Sequence, residues 1–285
     1  MTTPPEPPPN AALKKRRLGR TGLLITEVGV GGANLTASDA GEEALLTAFA
    51  LGVNFVETGR AYKGSEYLIG GALAQSPNRG DVHIASKTLA RSRDGALSDL
   101  ERSLTHLRLQ KIDVYQLNSV GHEDWPQVMS DGGALRGLQE AREQGLLRFI
   151  GISSHSPRVL RRAIDSEEFD TIEVKWGAFH FDSAELIHFA YERDIGVIGM
   201  KPFGGFGMLG SLKGSEFEKT LSAEVLLRYA LANRDLSVCI PGVRNPLEVR
   251  QNVETATSSA PLTPVEREQI VEQAKAFLTG RRSPA

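Results

Sequence analysis

Asn54-Phe-Val-Glu-Thr-Gly-Arg-Ala-Tyr-Lys-Gly-Ser-Glu66 opens as a short apolar run, closes that run on the carboxylate of Glu57 and turns at Gly59. It then presents the phenol of Tyr62 and enters a helix at Ser65-Glu66. The stretch is a strand, a polar turn and a helix in immediate succession. A carboxylate and a phenol five residues apart at a strand exit suit acid/base chemistry.

The same unit recurs on both sides. Strands are read at Glu27 to Gly31, Asn54 to Glu57, Val82 to Ser86, Asp113 to Leu117, Phe149 to Ser153, Thr171 to Lys175, Gly196 to Met200 and Ser237 to Pro241. Helices follow them from Asp39, Ser65, Asp94, Ala134, Pro157, Ser183, Ser222 and Pro246. Asp39 is read as a cap. Leu97, Leu100, Leu104 and Leu107 are spaced three and four, as one buried helix face requires. The strands are short and rich in Val and Ile, the pattern of strands buried on both faces. Eight strand-then-helix units in about 230 residues outline an α/β fold, a (β/α)8 TIM barrel. Gly19-Arg-Thr-Gly22 between apolar pairs predicts an N-terminal β-hairpin. Thr263 with Glu266 predicts a capped C-terminal extra helix. A doubly wound sheet is the competing fold. The Gly29-Val-Gly-Gly32 segment echoes a dinucleotide fingerprint but carries Asn34 where the third glycine belongs.

The chain has 285 residues, of which 40% are hydrophobic, enough for a sizeable core. Residues 1–12 carry five prolines and predict a disordered tail, which leaves 13–285 as a single domain. A net charge of -2 makes no electrostatic case for nucleic acid or an anionic membrane. No apolar run has the length of a membrane span. The single cysteine, Cys239, permits no intrachain disulfide and fits a cytoplasmic setting.

Barrel enzymes carry chemistry on the loops that follow the strands. In chain order those loops hold Gly31 to Asn34, Glu57 with Tyr62, Lys87-Thr88, Asn118-Ser119, Ser153-Ser154-His155, Lys175-Trp176, Lys201 to Gly205 and Pro241 to Arg244. A lysine directly at a strand end is uncommon in a buried setting. Beside Tyr62, the Lys87 ammonium would stabilise phenolate and lower the phenol pKa.

These stretches resemble the aldo-keto reductase superfamily from about Leu18 to Leu278. The resemblance rests on Leu18-Gly-Arg-Thr-Gly22, Gly52 to Gly59, Ala61-Tyr62 with Gly64-Ser-Glu66, Ser86-Lys-Thr88, Ile112 to Leu117, Gly151-Ile-Ser-Ser154, Met200-Lys-Pro202 and Ile240-Pro-Gly242 followed by Asn252. It implies carbonyl reduction by an extended nicotinamide cofactor laid across the barrel mouth, NADP(H) slightly before NAD(H). It implies Tyr62 as proton donor, Lys87 as its partner, Glu57 where the family has Asp, and Asn118 where the family has His. Asn can donate a hydrogen bond to a carbonyl but cannot titrate. For the cofactor it implies Ser153, Ser154 and Lys175 (at the usual Gln position) on the nicotinamide. Met200, Lys201, Pro202, Gly204 and Gly205 would lie against its ring and pyrophosphate, and Gly242, Arg244, Glu248 and Asn252 at the adenosine end. Phe203 to Gly214, rich in glycine, is read as a flap over the cofactor.

Asn34, His122 and Trp176 are the candidates for contact with a small-molecule carbonyl substrate. His122 or His155 could also replace the missing family histidine. A metal-dependent hydrolase using His122, His155 and His180 near Asp182 is a rival reading, although these lack the spacing of a metal motif. A nicotinamide-binding barrel acting as a sensor or regulatory subunit is another.

Overall fold

The computed structural model describes residues 12–35 and 38–282. The expected proline-rich tail therefore lies, but for Ala12, outside the described residues. β1 (Lys15–Arg17) and β2 (Leu24–Thr26) pair antiparallel around a 3-10 turn at Gly19–Thr21. The eight remaining strands are β3 (Val30–Gly31), β4 (Phe55–Glu57), β5 (His83–Thr88), β6 (Ile112–Leu117), β7 (Leu147–Ser153), β8 (Thr171–Lys175), β9 (Gly196–Met200) and β10 (Val238–Ile240). They form one sheet in sequence order, every neighbouring pair parallel.

The barrel closes between its first and last strands. Val28 bridges Cys239 and Gly31 bridges Gly242, both in parallel sense. Gly29 N–H donates to Cys239 O at 2.8 Å, and Gly31 N–H to Pro241 O at 2.9 Å. A helix follows each barrel strand, at Asp39–Ala50, Ser65–Gln75, Arg93–Leu107, Ala134–Glu143, Pro157–Ser166, Ala184–Glu192, Ala223–Leu231 and Pro246–Ser258. Each strand is too short to bury much by itself, and its helix covers the outer face, which is why the strands read as continuous apolar runs. Side chains at Ser38, Ser92, Ser156, Ser222 and Asn245 accept amide hydrogens at helix starts. Ser38, not Asp39, is thus the first cap; Asp39 instead begins the helix, where its charge suits the positive end of the dipole. The extra helix Pro264–Arg282 starts as expected: Thr263 Oγ1 accepts from Glu266 N–H at 3.3 Å, and Glu266 Oε2 accepts from Thr263 N–H at 2.7 Å.

Side chains alternate between the barrel interior and the helix layer. The lower interior is apolar, built from Phe55, Ala85, Val114, Ile198 and Val238 and closed beneath by Leu18, Leu23 and Ile25 of the hairpin. The hairpin presses directly on β9: a Cβ on Gly19 would meet Gly196 N at 2.2 Å, and Gly19 sits at φ +48°. Further along β4, β5, β6 and β8 the interior turns polar, at Glu57, Lys87, Gln116 and Glu173, all buried. The candidate site stands on this polar layer.

Candidate active site

Lys87 lies on β5 and is 1% exposed, with Glu57 of β4 at 2% and Glu173 of β8 at 1%. Its ammonium is paired with the Glu57 carboxylate. It also donates to Glu173 at 3.3 Å and 3.4 Å. Gln116 of β6 steadies Glu173 by donating to its Oε2 at 2.7 Å. One cation thus faces two carboxylates in a buried layer. Burial pulls the Lys87 pKa below that of a free lysine, and Glu173 pulls the other way. Glu57, one methylene longer than an Asp, reaches Lys87. Gly59 makes room at the turn, since a Cβ there would meet Lys87 Cγ at 2.8 Å.

Tyr62 lies half-buried over this cluster, its ring centroid 4.8 Å from Lys87 Nζ. The ammonium lies over the ring face, a cation–π contact, rather than in a hydrogen bond with the phenol. The expected lowering of the Tyr62 pKa is therefore corrected. Burial, and after it the negative field of Glu173, raise it well above that of a free phenol. Tyr62 is held protonated.

Asn118 follows β6 and is 7% exposed. Its carbonyl oxygen accepts from the hydroxyls of Ser153 and Ser119, each at 3.1 Å. Its NH2 has no hydrogen-bond partner among the described residues, so the end left for a ligand is a donor. Ser153 also accepts from Ser119 N–H at 2.9 Å, and Ser154 donates to Val120 O at 2.7 Å. Both serines tie the β6 and β7 exits together.

A groove of about 1470 Å³ starts at Tyr62, Glu57 and Glu173 and runs to Arg244 and Asn252. Ordinary ligand pockets span roughly 300–1,000 Å³, so this one has room for an extended ligand together with a small one. Of the residues assigned to cofactor or substrate, Asn34, Met200, Lys201, Pro202, Gly205, Gly242, Arg244, Glu248 and Asn252 line it. Ser153, Ser154, Gly204 and Lys175 do not. The lining residue of β8 is Glu173, two positions before Lys175. The glycine-rich segment after β9 holds Gly204, Gly205 and Gly207 at φ +86°, +103° and +77° and leads into a short helix, Met208–Leu212, that the sequence reading did not contain. Phe206 in that segment is fully exposed beside the groove. At the far end Arg244 is turned onto Glu248, with Nη2 at 2.8 Å and Nε at 3.1 Å from Oε1.

Trp176 is 4% exposed, donates its indole N–H to Ala230 O at 2.9 Å and stacks on Tyr229 at 5.8 Å. It packs in the barrel wall and does not line the groove. His122 is exposed and does not line it either. His155 Nε2 accepts from Lys201 Nζ at 3.1 Å. Among the described residues no group of three or more His, Cys, Asp or Glu gathers as metal ligands. No helix among them is long and apolar enough to cross a membrane.

The chain is 26% identical over 286 residues to L-galactose dehydrogenase of Arabidopsis thaliana, covering 86% of this chain and 88% of that one. It is 27% identical over 226 residues to pyridoxine 4-dehydrogenase of Escherichia coli, covering 73% and 78%. The fold is shared with the holo form of an aldo-keto reductase from Bacillus halodurans, at a TM-score of 0.77 and 23% identity over 92% of this chain and 96% of the other. The model of the aldo/keto reductase family matches residues 27–220, more than half of the sequence and all strands from β3 to β9. The chain belongs to the aldo/keto reductase family of oxidoreductases.

Proposed function

We propose that the chain is a nicotinamide-dependent oxidoreductase acting on a carbonyl/alcohol pair, with Tyr62 as the group that hands a proton to the carbonyl oxygen. The observation that carries this reading is a protonated, half-buried phenol over a fixed Lys87–carboxylate cluster, at one end of a groove sized for a dinucleotide. The dehydrogenase names of two relatives support an alcohol/carbonyl couple.

A bound nicotinamide dinucleotide would supply the hydride. The chain's own residues do the rest. Met200, Pro202 and Gly205 form the groove wall beside Glu173, and open backbone in the glycine segment suits phosphate oxygens. Asn118 offers its free amide N–H to a substrate oxygen. Lys87 and its two carboxylates hold the phenol's underside.

The Arg244–Glu248 pair weighs against the expected lean towards NADP(H). An arginine already satisfied by a carboxylate offers little net charge to a 2′-phosphate. Titration of NADH and NADPH, followed by nucleotide fluorescence, is expected to show NADH bound at least as tightly. Glu248→Gln frees Arg244 and is expected to shift the ratio towards NADPH by roughly two- to fivefold, the scale of an exposed charge pair. An unchanged ratio would place 2′-recognition elsewhere, and no binding of either nucleotide would remove the proposed function.

A further inference from the structure

Three ionisable side chains make the floor under Tyr62, and their formal charges do not cancel. Glu57, Lys87 and Glu173 are each 2% exposed or less. One ammonium stands against two carboxylates, paired with Glu57 and 3.3 Å from Glu173 Oε1. The surplus negative charge falls on Glu173, whose closest donor is the Gln116 amide at 2.7 Å. That amide is neutral, so it fills a lone pair without cancelling the charge. A buried charge without a full counter-charge is costly until a cation is brought to it.

The surplus faces the groove. Glu57, Glu173 and Tyr62 all line it, and all three meet at Lys87, which touches both carboxylates and lies 4.8 Å from the Tyr62 ring centroid. The groove's other carboxylates, Glu224, Glu248 and Glu254, belong to the helices Ala223–Leu231 and Pro246–Ser258. The next strands, β9 and β10, present the apolar Met200 and Ile240. Lys201 also lines the groove, but its ammonium donates to His155, which does not. Carbonyl reduction fixes what must lie at the Tyr62 end. Hydride transfer needs the donor carbon within about 3–3.5 Å of the carbonyl carbon, while the carbonyl oxygen takes the Tyr62 proton. The phenol is then reprotonated from water. Loss of the hydride turns a neutral dihydronicotinamide ring into a cation, so one positive charge arises beside a floor that has one negative charge in excess.

We propose that Glu173 is the counter-charge for the oxidised, cationic nicotinamide ring and so sets the balance between the two redox forms of the bound cofactor. This rests on the proposed carbonyl reduction and adds the direction in which the site is poised. A fixed negative charge that favours the oxidised form makes the bound reduced form a stronger hydride donor, because the same field stabilises the charge that develops on the ring during transfer. Burial keeps that field from being screened as it would be in water. Glu57 spends its charge on Lys87; Glu173 is the member of the pair with charge left to offer.

The test needs no turnover. Titration of NADH by fluorescence and of NAD+ by calorimetry, without substrate, gives the ratio of their dissociation constants for wild type, Glu173→Gln and Glu173→Asp. The phosphorylated pair, NADPH and NADP+, takes their place if it binds more tightly. Glu173→Gln keeps the shape and removes the charge. It is expected to raise Kd(NAD+)/Kd(NADH) by at least about tenfold, equal to an upward shift of about 30 mV in the potential of the bound couple. Glu173→Asp keeps the charge and is expected to hold the ratio closer to wild type than to Glu173→Gln. If Glu173→Gln does not fold, Glu57→Gln removes the same net charge from the floor and carries the same expectation. A ratio unmoved by the loss of the carboxylate overturns the proposal. So does an equal loss of affinity for both forms, which would make Glu173 a wall of the groove and nothing more. Binding of neither form by wild type fails carbonyl reduction and this inference together, whereas binding of both with an unmoved ratio fails the inference alone.

Discussion

Tyr62→Phe lowers kcat for carbonyl reduction by roughly 10²–10⁴-fold, the usual contribution of one positioned proton donor. Dinucleotide binding stays intact. The ring that covers Lys87 is retained, so the cation–π contact and the fold are kept, and only the proton is removed. The expected pH profile follows from the same geometry. Burial and Glu173 raise the Tyr62 pKa, so the phenol stays protonated through the neutral and mildly alkaline range. The wild-type rate therefore has no alkaline limb from Tyr62 below the range of a free phenol, near ~10. Glu173→Gln removes the negative neighbour and moves that limb downward. A Tyr62→Phe protein with wild-type kcat would assign the proton donor to another group.

Lys87→Met destabilises the folded chain by roughly 3–5 kcal/mol, because it strips the cation from two buried carboxylates. Thermal or urea unfolding reads this out. The loss exceeds that of a single cavity-neutral side-chain change, since Glu57 and Glu173 then repel each other at close range without a counter-charge. Lys87→Met combined with Glu173→Gln regains part of the stability, as one fewer charge is left unpaired. Activity falls in both variants. The added glutamine distinguishes a charge effect from a packing effect. If Lys87→Met unfolds like wild type, the two carboxylates are not both ionised in the folded state.

The fold was legible because each βα unit announces itself locally. The strands at Thr171 to Lys175 and Gly196 to Met200 have the observed bounds, and the others differ by one to three residues at an end. Turn glycines and the Thr263–Glu266 box marked the boundaries. The short helix Met208–Leu212 was hidden by the glycines around it, which read as a loop.

The site was legible only in part. Glu57, Tyr62 and Lys87 sit at strand exits, where side-chain type alone suggests chemistry. Glu173 sits inside a strand between Ile172 and Val174, whereas Lys175 stands at its end. The signal was there: a carboxylate in the middle of an apolar strand is seldom tolerated without a partner. Two-residue alternation puts Thr171, Glu173 and Lys175 on one face, but only the barrel register says that this face looks at Lys87. The sign of the Tyr62 shift was likewise beyond the sequence. It depends on whether the ammonium meets the hydroxyl or the ring, and on the distance to a second carboxylate. Trp176 was read as lining because it follows a strand end, yet its indole reaches back to Ala230.

The most direct measurement follows the hydride itself. Dihydronicotinamide dinucleotide carrying deuterium at the transferring position is incubated with the purified protein and an aldehyde, and the alcohol is analysed by mass. Carbonyl reduction at this site predicts an alcohol with one deuterium at the former carbonyl carbon, formed by wild type and strongly reduced in Tyr62→Phe. An aldehyde panel that returns no labelled alcohol, although the dinucleotide is bound, would contradict reduction and leave a nicotinamide-binding barrel with another task.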